Sequence, residues 1–302
     1  MRALLLFLAR QEGFKNFAMK FGFFRKAALR FVAGESLEDA IRAVRHVNQL
    51  NISGTLDLLG ENTLTAGDAN NACQEIIGII DRIPKEGVHC NVSVKLTQLG
   101  LALDRDITRR NIFEIARHAS EKDGFVRVDM EDSQYTQSTL DIVEDIHEKL
   151  GNVGTVIQSY LYRSEQDTIQ LLERGIGIRL VKGAYLEPET VAFARKKDTD
   201  ANYIKLMKTL LASKPYHAIA THDESIIKET KDFARLHGIP KNHFEFQMLY
   251  GIRRDLQSRL SSEGYNVRIY IPYGRRWYPY FMRRLAERPA NVVFLARNLL
   301  RD

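Results

Sequence analysis

Two adjacent arginines, Arg283 and Arg284, lie one helical turn after Tyr280 and one before Glu287. At 3.6 residues per turn, these four side chains share adjoining parts of one helix face. Neighbouring guanidinium groups repel each other unless anions answer them. Glu287 can answer one through an i,i+3 or i,i+4 pair, and a bound carboxylate can answer the other with two parallel hydrogen bonds. An exposed Arg–Glu surface helix would have the same pattern, so the surroundings of this helix decide its chemistry.

Those surroundings follow from a regular alternation. Short β-rich runs occur at 54–59, 90–96, 125–130, 154–159, 176–181, 218–221, 244–249 and 267–271. Stretches of helical periodicity separate them, among them 112–119, 140–150 and 226–236. Eight βα units in roughly 250 residues predict a closed (βα)8 barrel of the α/β class. A doubly wound sheet normally uses fewer strands with a reversing order. With no linker-like cluster of Pro, Gly or Ser, residues 1–302 read as a single distorted barrel domain. A helical extension occupies about residues 1–50. In it, Gly34-Glu35-Ser36 reads as a stop followed by a cap for a helix carrying Leu37, Ala40, Ile41, Val44 and Val47. The helix bearing Arg283 and Arg284 follows the eighth run and is expected over the barrel mouth.

Barrel enzymes place their chemistry at the C-terminal ends of the strands. Asp57 and Glu61, Lys95, Asp129, Gln158, Arg179 and Lys182, Thr221 and His222, Gln247, and Tyr270 end or follow the eight runs in order. A purely structural barrel has no need for charge at nearly every strand exit, although the solvated starts of loops account for some of it.

Composition excludes several other classes. The chain has 302 residues, 44% hydrophobic and 27% charged, with 44 basic and 38 acidic residues. The acidic residues are spread along the chain, so the net charge of +6 reads as a solvated mixed surface rather than a nucleic-acid footprint, with the basic excess concentrated early. Cys73 and Cys90 have neither disulfide-framework nor metal-ligand spacing, so no metal is expected, and a reducing, cytoplasmic setting is the simple reading. Lys15, Lys20, Arg25, Lys26 and Arg30 alternate with Phe14, Phe17, Phe21 and Phe24. This pattern suits either a helix packing its Phe face on the barrel or peripheral contact with an anionic membrane. The apolar run at 3–9 is too short to span a bilayer, and neither an export signal nor a transmembrane helix is expected. Gly175-Ile176-Gly177-Ile178-Arg179-Leu180 begins like a dinucleotide fingerprint, but it lacks the third glycine and enters a strand.

The Tyr280-Phe281-Met282-Arg283-Arg284-Leu285-Ala286-Glu287 segment resembles the hallmark helix of the proline dehydrogenase family, Y-x-x-R-R-x-x-E. Further resemblance lies in Phe31-Val32-Ala33-Gly34, Leu56-Asp57-Leu58-Leu59-Gly60-Glu61, the segment from Val92 to Gly100, Val128-Asp129-Met130-Glu131, Arg179-Leu180-Val181-Lys182-Gly183-Ala184-Tyr185 and Ala220-Thr221-His222. The likeness runs from about residue 31 to the C-terminus and is to the short, single-activity bacterial form. It implies FAD as cofactor, L-proline as substrate and a membrane quinone as electron acceptor.

The resemblance also implies residue roles. Lys95, Arg283 and Arg284 would grip the substrate carboxylate, with Tyr270, Tyr280 and Leu249 around the ring. Asp129 and Glu287 would hold the cations in place, and Glu61 would act as a gate partner of the arginine pair. Arg179 would lie near flavin N5 and Gln158 at the polar edge of the isoalloxazine. Met130, Val181, Lys182, Gly183, Ala184, Tyr185, Thr221 and His222 would complete the cofactor cradle. Asp223 departs from the family, where Asn is commoner, as does Ile271-Pro272-Tyr273-Gly274 in place of Ala-Pro-Val-Gly. Two other readings predict different observables. A lyase using Lys95 or Lys182 as a Schiff-base nucleophile would be colourless and trappable with borohydride. A basic adaptor using residues 14–30 would bind liposomes or DNA in a salt-sensitive way.

Overall fold

The computed structural model describes residues 28–287. The expected helical segment therefore falls outside the described residues up to position 27, including most of the Phe-rich basic stretch. The helix expected after Ser36 is α1 (Leu37–Asn48). The Ser36 hydroxyl accepts from the Asp39 backbone and the Asp39 carboxylate answers the Ser36 backbone, while Ala40, Ile41, Val44 and Val47 are buried.

The strands are β1 (Ser53–Leu58), β2 (Cys90–Val94), β3 (Val126–Val128), β4 (Val153–Gln158), β5 (Ile178–Val181), β6 (His217–Ala220), β7 (Phe244–Leu249) and β8 (Asn266–Tyr273). Helices alternate with them: α2 (Ala66–Lys85), α3 (Arg105–Ser120), α4 (Thr136–Leu150), α5 (Ser164–Glu173), α6 (Lys196–Leu211), α7 (Glu224–Leu236), α8 (Arg254–Ser262) and α9 (Trp277–Glu287). Each strand pairs in parallel with the next, and β8 pairs with β1 to close the barrel. Every expected strand is present, within about two residues at each end.

The pleat divides the strand residues between two environments. Leu56, Val92, Val94, Val126, Val128, Val153, Ile157, Ile178, Leu180, Phe244, Phe246, Ile269 and Ile271 join the apolar layer between strands and helices. Many of the alternate positions are polar and buried: Thr55, Asp57, Ser93, Arg127, Arg179, Glu245 and Gln247. Charge within the barrel requires pairing. The Arg268 guanidinium donates to Glu245 at 2.9 and 3.1 Å and to the Gly54 carbonyl at 2.7 Å. Arg127 donates to the carbonyls of Thr155 at 2.9 Å and Gly177 at 2.5 Å. Gly154 makes the space for Arg127, since a Cβ there would stand 2.7 Å from its Nη1 and 2.4 Å from the Gly177 oxygen. This charged floor was not anticipated from the sequence.

A second apolar cluster joins Ala28, Phe31 and Val32 to Trp277, Tyr278, Tyr280, Phe281, Met282 and Leu285. The Ala33 amide donates to the Pro272 carbonyl at 2.9 Å, and the Gly274 amide donates to that of Gly34 at 3.0 Å. The segment before α1 thus packs on α9, which lies across the C-terminal end of the barrel.

Candidate active site

Because successive strands deliver their exits to one end, residues from the whole chain meet there. A cavity of about 490 Å³ is lined by Lys95 just after β2, Asp129 and Met130 just after β3, Gln158 from β4, Arg179, Val181, Lys182, Gly183, Ala184 and Tyr185 from β5 and its loop, Thr221 and His222 just after β6, Leu249 from β7, Tyr270 from β8, and Tyr280, Arg283 and Arg284 from α9. Every residue expected at the substrate and cofactor positions lines it. Of the other two expected residues, Glu61 adjoins it through Arg283. Glu287 belongs to α9, but its side chain lies outside the described residues.

At the cavity wall, Lys95 Nζ donates to Asp57 at 3.1 Å and to Asp129 at 3.2 Å, and lies 3.2 Å from the Tyr270 hydroxyl. That hydroxyl donates to Asp129 Oδ2 at 2.8 Å, and Arg179 donates to Asp129 Oδ1 at 2.8 Å and to Ser93 Oγ at 2.9 Å. Asp129 is therefore the common acceptor of two cations and a phenol. Burial disfavours its charge, but Lys95, then Arg179 and Tyr270, outweigh it and hold the carboxyl below its ordinary range. Burial acts against the Lys95 ammonium too, yet Asp57, Tyr270 and Asp129 raise its pKa well above the usual value. Lys95 thus stays protonated, the opposite of what a Schiff-base nucleophile requires.

Above this layer, Arg283 makes a two-pronged contact with Glu61, at 2.9 and 2.5 Å. The carboxylate that answers Arg283 comes from the loop after β1. The Arg284 guanidinium lies 5.1 Å from the centre of the Tyr280 ring. Tyr270 presents its ring to Arg179 and Lys95, with 5.4 and 5.9 Å to the centroid.

The remaining wall is built from the β5 exit with Lys182, Gly183, Ala184 and Tyr185, and from Thr221 and His222. Gly183 takes φ +116°, and a Cβ there would fall 2.3 Å from the Tyr160 ring, so the chain can follow this course only without a side chain. Arg179 lines the cavity, and its Nε is buried without a hydrogen-bond partner among the described residues. Lys182 lies between Asp200 at 2.6 Å and Asp223 at 3.0 Å. Asp223 also caps α7 through Ser225. His222 Nε2 accepts from the Leu249 amide at 3.0 Å, which ties the β6 exit to β7 and identifies that nitrogen as unprotonated.

Sequence reasoning missed four participants. Asp57 is a strand-exit residue, and Ser93 and Glu131 fall within the family-like motifs, yet none of the three carries a role in the sequence reading, and Asp200 carries no signal there. The available signal for Asp57 was a charged residue within the otherwise apolar run Leu56-Asp57-Leu58-Leu59. Among the described residues no cluster of metal-ligating side chains is present, and no helix is long and apolar enough to cross a membrane.

Comparison with known proteins agrees with this geometry. The family model described as proline dehydrogenase matches residues 40–297. A proline dehydrogenase of Deinococcus radiodurans is 46% identical over 279 residues, covering 91% of this chain and 90% of its own. Proline dehydrogenase 2 of Bacillus subtilis is 43% identical over 298 residues, covering 99% and 98%. Among solved structures, proline utilization A from Bdellovibrio bacteriovorus, inactivated by N-propargylglycine, superposes with a TM-score of 0.83 at 27% identity. That match takes in 87% of this chain and 33% of the longer neighbour. The chain belongs to the proline dehydrogenase family.

Proposed function

We propose that this protein oxidises L-proline to 1-pyrroline-5-carboxylate with FAD as its cofactor, and that the electrons pass on to a membrane quinone. The observation that carries this reading is the convergence of Lys95, Arg283 and Arg284 with Tyr270, Tyr280 and Leu249 on one cavity at the strand exits.

Lys95, Arg283 and Arg284 bind the proline carboxylate, and this fixes the orientation of ring carbon 5. Buried cations are costly unless paired: Asp57 and Asp129 answer Lys95, and Glu61 answers Arg283. Tyr270, Tyr280 and Leu249 pack on the ring and exclude water. The amine reacts in its neutral form. As hydride leaves carbon 5, the nitrogen lone pair closes the C=N bond and positive charge develops at nitrogen. FAD, when bound, supplies the hydride acceptor at N5.

Residues that would hold the cofactor are Met130, Gln158, Arg179, Val181, Lys182, Gly183, Ala184, Tyr185, Thr221 and His222. Arg179, which lines the cavity, answers the negative charge of a reduced flavin. The ion pair of Glu61 with Arg283 closes the site over bound substrate. The Phe-rich basic segment before residue 30 is the candidate for membrane contact, with the protein otherwise cytoplasmic.

An anaerobic absorbance spectrum recorded before and after addition of L-proline tests this reading. Bleaching of a yellow chromophore is expected. A colourless protein, or a flavin spectrum that proline leaves unchanged, would refute it.

A further inference from the structure

The loop that carries Glu61 is anchored at its next residue. The Asn62 amide donates to Thr97 Oγ1 at 3.2 Å, and the Thr63 amide and hydroxyl donate to the Thr97 carbonyl at 3.2 and 3.1 Å. Thr97 is itself held from the opposite side. Its amide donates to Glu131 Oε1 at 3.0 Å and its hydroxyl donates to Glu131 Oε2 at 2.5 Å. Asn62 takes φ +49°, a left-handed conformation that needs support from its surroundings. Both Thr97 and Glu131 are buried, and neither lines the cavity.

We propose that Glu131 and Thr97 are positioning residues for the gate. A buried carboxylate orients the Thr97 hydroxyl, which pins Asn62 and so sets Glu61 against Arg283. The inference deepens the reading given under Proposed function. The chemistry is that of a hydroxyl with one proton and two lone pairs. When Glu131 is ionised, Thr97 gives it that proton and offers a lone pair to the Asn62 amide. When Glu131 is protonated, it donates to Thr97, whose own proton then loses its acceptor, and the anchor weakens.

The surroundings allow this change near neutral pH. Burial pushes the Glu131 carboxyl up to about 7, against the two Thr97 hydrogen bonds. Lys95 from the end of β2 favours its ionised form, while Glu61 from the gate loop opposes it. The Tyr185 phenol, from the loop after β5, also faces Glu131 and is kept protonated by burial. The charge of Glu61 is shared with Arg283 of α9.

The test combines hydrogen–deuterium exchange with proline kinetics on the FAD-loaded protein. Thr97→Val should speed amide exchange in the 60–64 segment at least fivefold while the barrel strands exchange as in wild type, and Thr97→Ser should restore protection. In steady state, Thr97→Val should raise KM for proline severalfold with kcat within about twofold, and should add nothing when Glu61 is already Ala. Glu131→Gln mimics the protonated carboxyl. The kcat/KM ratio of wild type to Glu131→Gln should therefore rise from near 1 at pH 6 to severalfold at pH 8.5. Unchanged exchange of 60–64 in Thr97→Val, or a ratio flat across pH, would overturn the inference. Failure of the wild type to oxidise proline would instead refute the parent reading, and the exchange comparison would still decide this one.

Discussion

Asp57 and Asp129 share a single cation, both accepting from Lys95 Nζ at 3.1 and 3.2 Å, yet their acidities are driven in opposite directions. Burial is the largest influence on each. At Asp57 it prevails over Lys95, with the Asp129 charge adding to it, and the carboxyl is pushed above its ordinary range. At Asp129, Lys95 and Arg179 together reverse it. The two carboxylates therefore have different standing, and Asp129 is the fixed anion around which the cationic wall is built.

Removal of Asp129 should accordingly be the more damaging change. Asp129→Ala leaves Lys95 with one carboxylate and Arg179 with none, and an uncompensated buried charge costs about 3–5 kcal/mol. Misplacement of Lys95 and Tyr270 should lower kcat/KM for proline by about 10²-fold. Asp57→Asn should cost less on both counts. Denaturant titrations and steady-state kinetics of the two variants check this, and equal effects would show that the sites are interchangeable.

Glu61→Ala removes the carboxylate that pairs with Arg283 without touching the residues proposed to hold the flavin. KM for proline should rise about tenfold or more, with flavin content unchanged. A variant with wild-type affinity and turnover would rule out the gate.

Tyr280 lies against Arg284 and lines the cavity in which the proposed function packs the substrate ring. Its bulk leaves little room for a 4-hydroxyl, so wild type should prefer proline to trans-4-hydroxy-L-proline by at least about tenfold in kcat/KM. Tyr280→Ser should narrow that ratio. Comparable efficiencies in wild type would contradict the packing argument.

Acid sensitivity should trace in part to His217. Burial, followed by the Arg127 charge, pushes its imidazole down to about 3, while the ring accepts from the Ile178 amide at 3.1 Å. In the unfolded chain the same ring takes a proton near 6.5. The unfolded state therefore binds the proton first, and stability falls as pH drops from about 6.5 towards 3. Each tenfold difference in proton affinity between the two states is worth about 1.4 kcal/mol, so the loss amounts to several kcal/mol. Urea titrations between pH 4 and 7.5 should give a shallower stability curve for His217→Gln than for wild type. Parallel curves would place the acid lability elsewhere.

The barrel was legible in the sequence because each strand is a short apolar run between helical periods, and a closed barrel brings all strand exits together without any further information. That is why Lys95, Asp129, Gln158 and Tyr270, spread over some 175 positions, could be read as one site. Pairings across the barrel were not legible. Asp57 meets Lys95 from 38 positions away and Thr97 meets Glu131 from 34, distances at which local spacing carries no signal. The charged floor of Arg127, Glu245 and Arg268 was hidden for a related reason. In isolation each reads as the polar half of a strand alternation, and only closure turns that face inward. Of the two carboxylates expected to answer the arginines, Glu287 has its side chain outside the described residues, and Glu61 pairs with Arg283.

The proposed chemistry depends on the cations at the barrel mouth holding a carboxylate and thereby presenting the ring for hydride loss. The decisive comparison is anaerobic stopped-flow reduction of the flavin by L-proline and by carboxylate-free pyrrolidine, each at saturating or matched high concentration. Proline should reduce the flavin at least about 10³-fold faster, and Arg284→Ala should close most of that gap by slowing proline alone. Similar rates for the two amines, or an Arg284→Ala variant that keeps the full difference, would contradict it.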